Sequence, residues 1–288
     1  MTEQTQARKK ITIPYLIKKV SEKQPITWLT CYDYPTAFLQ ETAGIEMILV
    51  GDSLGMTMLG YDSTLPVTMD DMVRHTQAVR RGAPTAFLVG DMPYMTYQPS
   101  TETAIKNAGR FMSECGCDAI KLEGGESMVD RIKAIVDAGI PAIGHLGLTP
   151  QSVSALGGYK VQGKSAALAK KIVDDAKSLE KAGAFAILLE MVPDRLCQLI
   201  TERAEGCIIM SLGSGPHAHG QLLIYHDMFG LYPKFKPKMA KVYGNAGEVI
   251  LNGLKSYHDE VINRQFPQAE NGFGMPDEEF EELVKMLK

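Results

Sequence analysis

The sequence predicts one α/β domain of the (β/α)8 TIM-barrel class across residues 1–288, on three observations: eight short apolar, β-branched runs, helical periodicity between them, and overall length. Barrels of this kind use about 250 residues as a single unit. Periodicity alone fits an open doubly wound sheet equally well, so the strand count and the length decide for the closed form. The runs are Ile26–Tyr32, Met47–Gly51, Ala86–Gly90, Ala119–Leu122, Pro141–Gly144, Phe185–Leu189, Cys207–Leu212 and Leu222–Tyr225. Amphipathic stretches at Asp70–Arg81, Thr101–Glu114, Met128–Asp137, Ala166–Lys181 and Asp194–Ala204 read as the intervening helices. Recurrent Ala-Gly or Cys-Gly pairs before a run, as at Ala43-Gly44 and Cys115-Gly116, mark helix ends. Ile13–Ser21 reads as an N-terminal helix capping the barrel bottom, and Pro237–Val261 and Pro276–Leu287 as C-terminal helices. The barrel core is then about 26–260, with a tail helix over 276–288.

Composition excludes several classes. Hydrophobic residues are 45% and charged ones 22% of the chain, the balance of a globular protein with a large core. A formal net charge of −4 and the lack of a basic stripe predict no nucleic-acid partner. No apolar run approaches the ~18 residues of a membrane-spanning helix. The polar start MTEQTQARKK lacks the features of a secretory signal, so the expected location is cytoplasmic. Five scattered cysteines (Cys31, Cys115, Cys117, Cys197 and Cys207) lack zinc-site spacing and read as buried thiols.

The sharper signal lies where each run ends, because catalytic groups of such barrels come from the C-terminal ends of the strands and the loops after them. Tyr32 and Asp33 close the first run, Asp52 and Ser53 the second, Asp91 the third, Lys121 and Glu123 the fourth. His145 follows the fifth, Glu190 the sixth, a Gly213–Gly215 turn the seventh, and His226 with Asp227 the eighth. An Asp before a helix serves equally well as an N-cap. Lys121, however, alternates with Ile120 and Leu122 and so faces the other way, into the barrel, where an ammonium needs partners. His75 and His258 fall within helices and read as surface or packing residues.

Asp52, Asp91 and Glu123 offer only oxygen ligands, the set preferred by a hard cation such as Mg²⁺. Such an ion with open positions chelates a small 2-oxo acid and takes up the charge of its enolate. Glu190 ends a very apolar run, where desolvation is expected to raise its pKa toward that of a general base. Lys121 supplies a positive charge for the substrate carboxylate; Schiff-base chemistry is the rival role for a lysine in this position.

The motifs TCYDYPTA (Thr30–Ala37), VGDSLGM (Val50–Met56), GYDSTLPVTMDDM (Gly60–Met72), NAGRFM (Asn107–Met112), KLEGG (Lys121–Gly125), GIPAIGHLGLTPQS (Gly139–Ser152), GGYKVQGK (Gly157–Lys164) and AGAFAILLEMVP (Ala182–Pro193) together resemble the ketopantoate hydroxymethyltransferase family. The resemblance implies a barrel of the phosphoenolpyruvate mutase/isocitrate lyase type. It implies Mg²⁺-dependent transfer of a hydroxymethyl group from 5,10-methylenetetrahydrofolate to 3-methyl-2-oxobutanoate, giving 2-dehydropantoate in pantothenate biosynthesis, and a homo-oligomer, often a decamer. By motif position it places the metal on Asp52, Asp91 and Glu123 and the oxo acid on Asp52, Ser53, Asp91 and Lys121, with Tyr32 nearby. Glu190 falls on the proton acceptor, with Lys121 and His145 in the same catalytic group. An alternative keeps the metal enolate but makes the chain a related carbon–carbon lyase or aldolase acting on another 2-oxo acid.

One segment departs from the family pattern. Where that pattern reads close to GIGAGxxxDGQ, this chain has MSLGSGPHAHGQ (Met210–Gln221), with Ser211 and Leu212 for Ile-Gly and His219 for Asp. The resemblance assigns this loop to the donor side of the pocket. His217 and His219 lack the third ligand that a metal site would need.

Overall fold

The computed structural model describes residues 8–288; residues 1–7, most of the polar start, lie outside them. The strands are β1 (Ile26–Thr30), β2 (Met47–Val50), β3 (Phe87–Asp91), β4 (Ala119–Glu123), β5 (Ala142–Gly147), β6 (Ala186–Glu190), β7 (Ile208–Leu212) and β8 (Gly220–Leu223). All eight pair in parallel in chain order, and β1 also pairs with β8, which closes the barrel. The helices are α1 (Ile13–Ser21), α2 (Tyr34–Thr42), α3 (Leu54–Thr57), α4 (Met69–Gly82), α5 (Thr101–Cys115) and α6 (Val129–Asp137). They continue with α7 (Val153–Leu156), α8 (Ala166–Lys181), α9 (Asp194–Arg203), α10 (Tyr225–Met228), α11 (Ala246–Ile262) and α12 (Asp277–Met286).

Alternation along each strand sorts the side chains into two cores. Trp28, Met47, Leu49, Phe87, Val89, Ile143, Leu188, Met210 and Leu222 fill the barrel interior, with Leu16 of α1 packed in the same cluster. Ile48, Leu88, Ile120, Leu122, Ile187, Leu189 and Ile209 face outward onto Met72, Phe111, Ile132, Leu179 and Ile200 of the surrounding helices. Where a helix presses closest the strand carries glycine: a Cβ on Gly90 would lie 2.4 Å from the Phe111 ring, and one on Gly144 2.6 Å from Leu179.

The strands differ from the sequence reading mainly at their upper ends. β3, β4, β5 and β6 continue through Asp91, Glu123, His145 and Glu190, because the ladder does not stop at a polar residue that has a buried place to go. β1 ends at Thr30, two residues short of the expected Tyr32, and β8 runs two residues earlier than expected, since Tyr225 already begins α10. The β7–β8 connection, residues 213–219, has no helix at all. The outer faces of the neighbouring strands are correspondingly open: Thr27 and Gln221 are exposed, and Leu29 and Leu223 are half-buried.

The long helix expected from Pro237 begins only at Ala246; residues 229–245 instead run irregularly beside the upper mouth of the barrel. Neither α11 nor α12 has a buried residue, and Val249, Ile250, Leu254, Ile262 and Phe280 are all more than half exposed. No helix among the described residues is long and apolar enough to cross a membrane. All five cysteines are buried and unpaired.

The contact at Gly90 gives a direct test of the strand–helix packing. Gly90→Ala forces the Phe111 ring or the backbone to move and is expected to destabilise the protein by about 1–3 kcal/mol. Urea unfolding of the variant reads this as a lower midpoint; an unchanged midpoint would mean that α5 does not pack on β3 this closely.

Candidate active site

The same alternation that buries Val89 and Leu188 lower in the barrel turns Asp91, Lys121, Glu123, His145 and Glu190 inward at its upper end. They open into a cavity of about 940 Å³, whose wall also includes Asp52, Ser53 and Asp227. Of the polar side chains singled out in the sequence, eight therefore share one cavity. Tyr32 stands just behind it, with its hydroxyl 2.8 Å from Ser53 Oγ. Burial pushes that phenol up to about 12, so it remains a protonated donor or acceptor for Ser53. Asp33 does not join the site: it accepts from Thr36 N–H at 2.8 Å and N-caps α2. His226 turns away and lies against the Tyr32 ring, 5.3 Å between centroids. His75 is a packing residue, its Nδ1 2.6 Å from the Tyr32 carbonyl.

Charge is arranged around one ammonium. Lys121 Nζ lies 2.7 Å from Asp91 Oδ1 and 3.3 Å from His145 Nδ1, and the side chain is fully buried. Burial alone works against its charge, but Asp91, Glu123 and Asp52 more than offset this and hold Lys121 above the usual lysine range. The carboxyls feel the opposite strain. Burial pushes Glu123 up to about 7 against the pull of Lys121, and burial together with Asp91 and Glu123 raises Asp52 well above the usual carboxylate range. One positive charge thus faces three buried carboxyls, and the excess is relieved by protons or by a bound cation.

The His145 ring bridges the two sides of the cavity. Nδ1 is 3.4 Å from Glu123 Oε1, and Nε2 is 3.1 Å from Glu190 Oε2 though out of line for a straight hydrogen bond. Burial and the Lys121 charge both lower its pKa, which keeps the imidazole neutral. With the ammonium donating to Nδ1, the ring proton is assigned to Nε2, facing Glu190.

The donor set suits a hard cation. Asp52, Asp91 and Glu123 are all buried, offer oxygen only, and are short of positive charge, and Asp91 Oδ1 has no aligned hydrogen-bond donor; this chemistry fits. Among the described residues no three His, Cys, Asp or Glu side chains are drawn into a metal-binding array. Donors of the chain itself hold the carboxylates instead: Gln151 Nε2 donates to Asp52 Oδ2 at 2.9 Å, and Asp52 N–H donates to Asp91 Oδ2 at 3.1 Å. Gln151 N–H donates to Glu123 Oε2 at 3.0 Å.

Gln151 and Tyr97 are the polar residues that the sequence reading passed over. Gln151 lies within a recognisable motif, but its partners stand 28 to 99 residues away along the chain and come together only through the loops. The mouth of the cavity is likewise built by loop residues that no periodicity marks, Tyr159 after β5 and Tyr232, Phe235 and Met239 after β8. The unusual seventh loop contributes less than expected. Leu212 and Gly213 line the cavity, whereas His219 Nδ1 accepts from Ile209 N–H at 2.9 Å and extends the β7–β8 pairing away from it. Ser211 and Ser214 bond to each other and to the Gly215 and Leu189 carbonyls, so they too serve the backbone.

Comparison with known proteins agrees with this geometry. A family model described as ketopantoate hydroxymethyltransferase matches residues 10–269. A 3-methyl-2-oxobutanoate hydroxymethyltransferase from Acetivibrio thermocellus is 48% identical over 277 residues, 96% of this chain and 98% of its own. One of the same name from Clostridium kluyveri is 53% identical over 262 residues, covering 91% and 93%. Among solved structures, a phosphonopyruvate hydrolase in complex with oxalate and Mg²⁺ aligns with TM-score 0.57 at 13% identity over 96% of both chains. A 2,3-dimethylmalate lyase, described as a PEP mutase/isocitrate lyase superfamily member, gives 0.57 at 14% identity over 96% of this chain and 99% of that one. At such identities the likeness is one of fold alone.

The protonation of Glu123 leaves a trace in stability. Its carboxyl holds its proton more tightly when folded than at the ordinary 4.5, so the folded state binds more protons between that value and about 7. In chelator-treated protein this part of the stability is full below pH 4.5 and is lost as pH rises through about 7. Urea midpoints across that range should fall for the native chain and fall less for Glu123→Gln; parallel curves would refute the assignment.

Proposed function

The chain belongs to the ketopantoate hydroxymethyltransferase family, and from that premise we propose that it transfers a hydroxymethyl group from 5,10-methylenetetrahydrofolate to 3-methyl-2-oxobutanoate, forming 2-dehydropantoate for pantothenate biosynthesis. The observation that carries this reading is the placement of Glu190 opposite a buried Lys121 ringed by Asp52, Asp91 and Glu123 in one cavity. Asp52, Asp91 and Glu123 would hold Mg²⁺, which when bound polarises the keto and carboxylate oxygens of the oxo acid. Lys121 and Ser53 bind and orient that acid at the same wall. Glu190 takes the C3 proton. His145 cannot accept at Nε2 while that nitrogen carries its own proton, and its Nδ1 faces Lys121, so it orients Glu190 instead. The carbon that loses the proton forms the new bond to the one-carbon unit, water supplies the hydroxyl, and tetrahydrofolate leaves. The apolar mouth formed by Tyr159, Tyr232, Phe235 and Met239 suits the planar donor.

The working form we propose is a homo-oligomer, a decamer as the family resemblance implies; the uncovered apolar side chains of α11 and α12 support association. Five unpaired thiols accord with a reducing compartment, the cytoplasm.

Two sets of variants test the chemistry. Asp52→Ala and Asp91→Ala are expected to abolish Mg²⁺-dependent product formation with the fold retained, and wild-type activity at low Mg²⁺ in either would sink the metal assignment. Glu190→Gln keeps the size of the side chain and is expected to lose about 10²–10⁴-fold in rate. Deuterium exchange at C3 of 3-methyl-2-oxobutanoate without folate should slow by a similar factor. Undiminished exchange in that variant, with exchange lost in His145→Gln, would show that the histidine is the base. Exchange in the native enzyme without product when folate is added would point to a lyase or aldolase instead.

A further inference from the structure

We infer that Gln151 is a positioning residue that holds Asp52 and Glu123 in their working orientation at the cavity; the inference rests on reading those carboxylates as cation ligands. Gln151 sits in a single 3₁₀ turn, Pro150–Ser152, in the connection from β5 that goes on to carry Tyr159 and Val161 along the cavity wall. Its side chain is buried, 7% exposed, and an amide in that position destabilises the fold unless each of its polar atoms finds a partner.

Every partner is present. Nε2 donates to Asp52 Oδ2 at 2.9 Å and to the Met92 carbonyl at 3.0 Å. Oε1 accepts from Tyr97 Oη at 2.7 Å and from Gln98 Nε2 at 3.0 Å. Two donors and two acceptor sites are all an amide has, so the group is saturated. It cannot be turned over either, since the Met92 carbonyl only accepts. Tyr97 is fixed in its turn: its hydroxyl takes a hydrogen bond from Glu123 N–H at 3.1 Å, and its one proton has Gln151 Oε1 at 2.7 Å as its nearer acceptor, with the Glu123 carbonyl at 3.2 Å. The backbone of the same residue reaches the second carboxylate, Gln151 N–H to Glu123 Oε2 at 3.0 Å. One residue therefore holds two carboxylates, Asp52 in the turn after β2 and Glu123 at the end of β4.

A purely structural glutamine would hold the loop and leave cation affinity alone, whereas partners that orient ligands typically change affinity by about 10–100-fold. The test is titration of the intact protein with Mn²⁺, followed by the electron paramagnetic resonance signal of the free ion. Gln151→Met keeps the length and volume of the side chain, keeps the backbone bond to Glu123, and removes only the amide. It is expected to raise the Kd for Mn²⁺ by about 10-fold or more, with the circular dichroism spectrum of the native chain. Tyr97→Phe, which frees the amide oxygen without touching a carboxylate side chain, should weaken Mn²⁺ in the same direction by a smaller factor; it decides the matter if Gln151→Met does not fold. A Kd equal to or tighter than that of the native protein in the folded variant overturns the positioning role. Failure of the native protein itself to bind Mn²⁺ brings down the metal reading, and this inference with it.

Discussion

An ammonium group removed from water has to be neutralised where it stands, and the upper half of this barrel is organised around that requirement at Lys121. The idealised cost of taking such an ion into a medium of low dielectric is of order 20 kcal/mol, and several kcal/mol remain after relaxation. No single partner makes that good. Asp91 on the neighbouring β3 supplies the close contact at 2.7 Å, and Asp52 after β2 and Glu123 on β4 itself add charge. The three carboxyls that neutralise Lys121 overcompensate it, and this makes the same cluster a place for a cation and for an anionic substrate. His145, between Lys121 and Glu190, passes the orientation across the cavity without carrying a charge of its own.

The lower half obeys a different rule on the same scaffold. Phe87, Val89, Ile143, Leu188 and Met210 close the interior with apolar packing beneath the charged residues. A rigid, dry floor keeps the buried charges from being hydrated from below, so their fields act only on what enters from the mouth. Strand ladders rather than loops hold Asp91, Lys121, Glu123, His145 and Glu190. Their mutual distances are set by the pairing register of the sheet.

What the sequence disclosed follows this division. Inward residues on strands were legible because a period of two needs no knowledge of the rest of the fold: Lys121 between Ile120 and Leu122 declared its direction, and the barrel followed from eight such runs. Asp33 and His226 showed the limit of that logic, since a residue just past a strand can cap a helix or pack on a ring instead of entering the cavity. Gln151 and Tyr97 were hidden because loops bring them to the site, and a loop path depends on everything it crosses. The periodicity of α11 gave a helix correctly but carried no information about what its apolar side would meet. His219 falls in a loop that the family resemblance assigned to the donor side of the pocket, but β8 begins two residues earlier than its apolar pattern indicated and His219 serves the β7–β8 pairing instead.

The strict alternation within β4 also makes the site a matter of parity. Lys121 and Glu123 face inward because they stand two and four residues from Ala119, an even spacing, while Ile120 and Leu122 face Phe111 and Ile132 across the outer layer. A single-residue insertion or deletion inside this strand would exchange the two sets at one stroke, putting two leucine-sized apolar groups into the cavity and two charges under the helices. A two-residue change would preserve the assignment and alter only the height of the groups. A one-residue change of length that a loop absorbs is therefore not tolerated here, and the site is protected by an arithmetic property of the β-strand as much as by the identity of any one side chain.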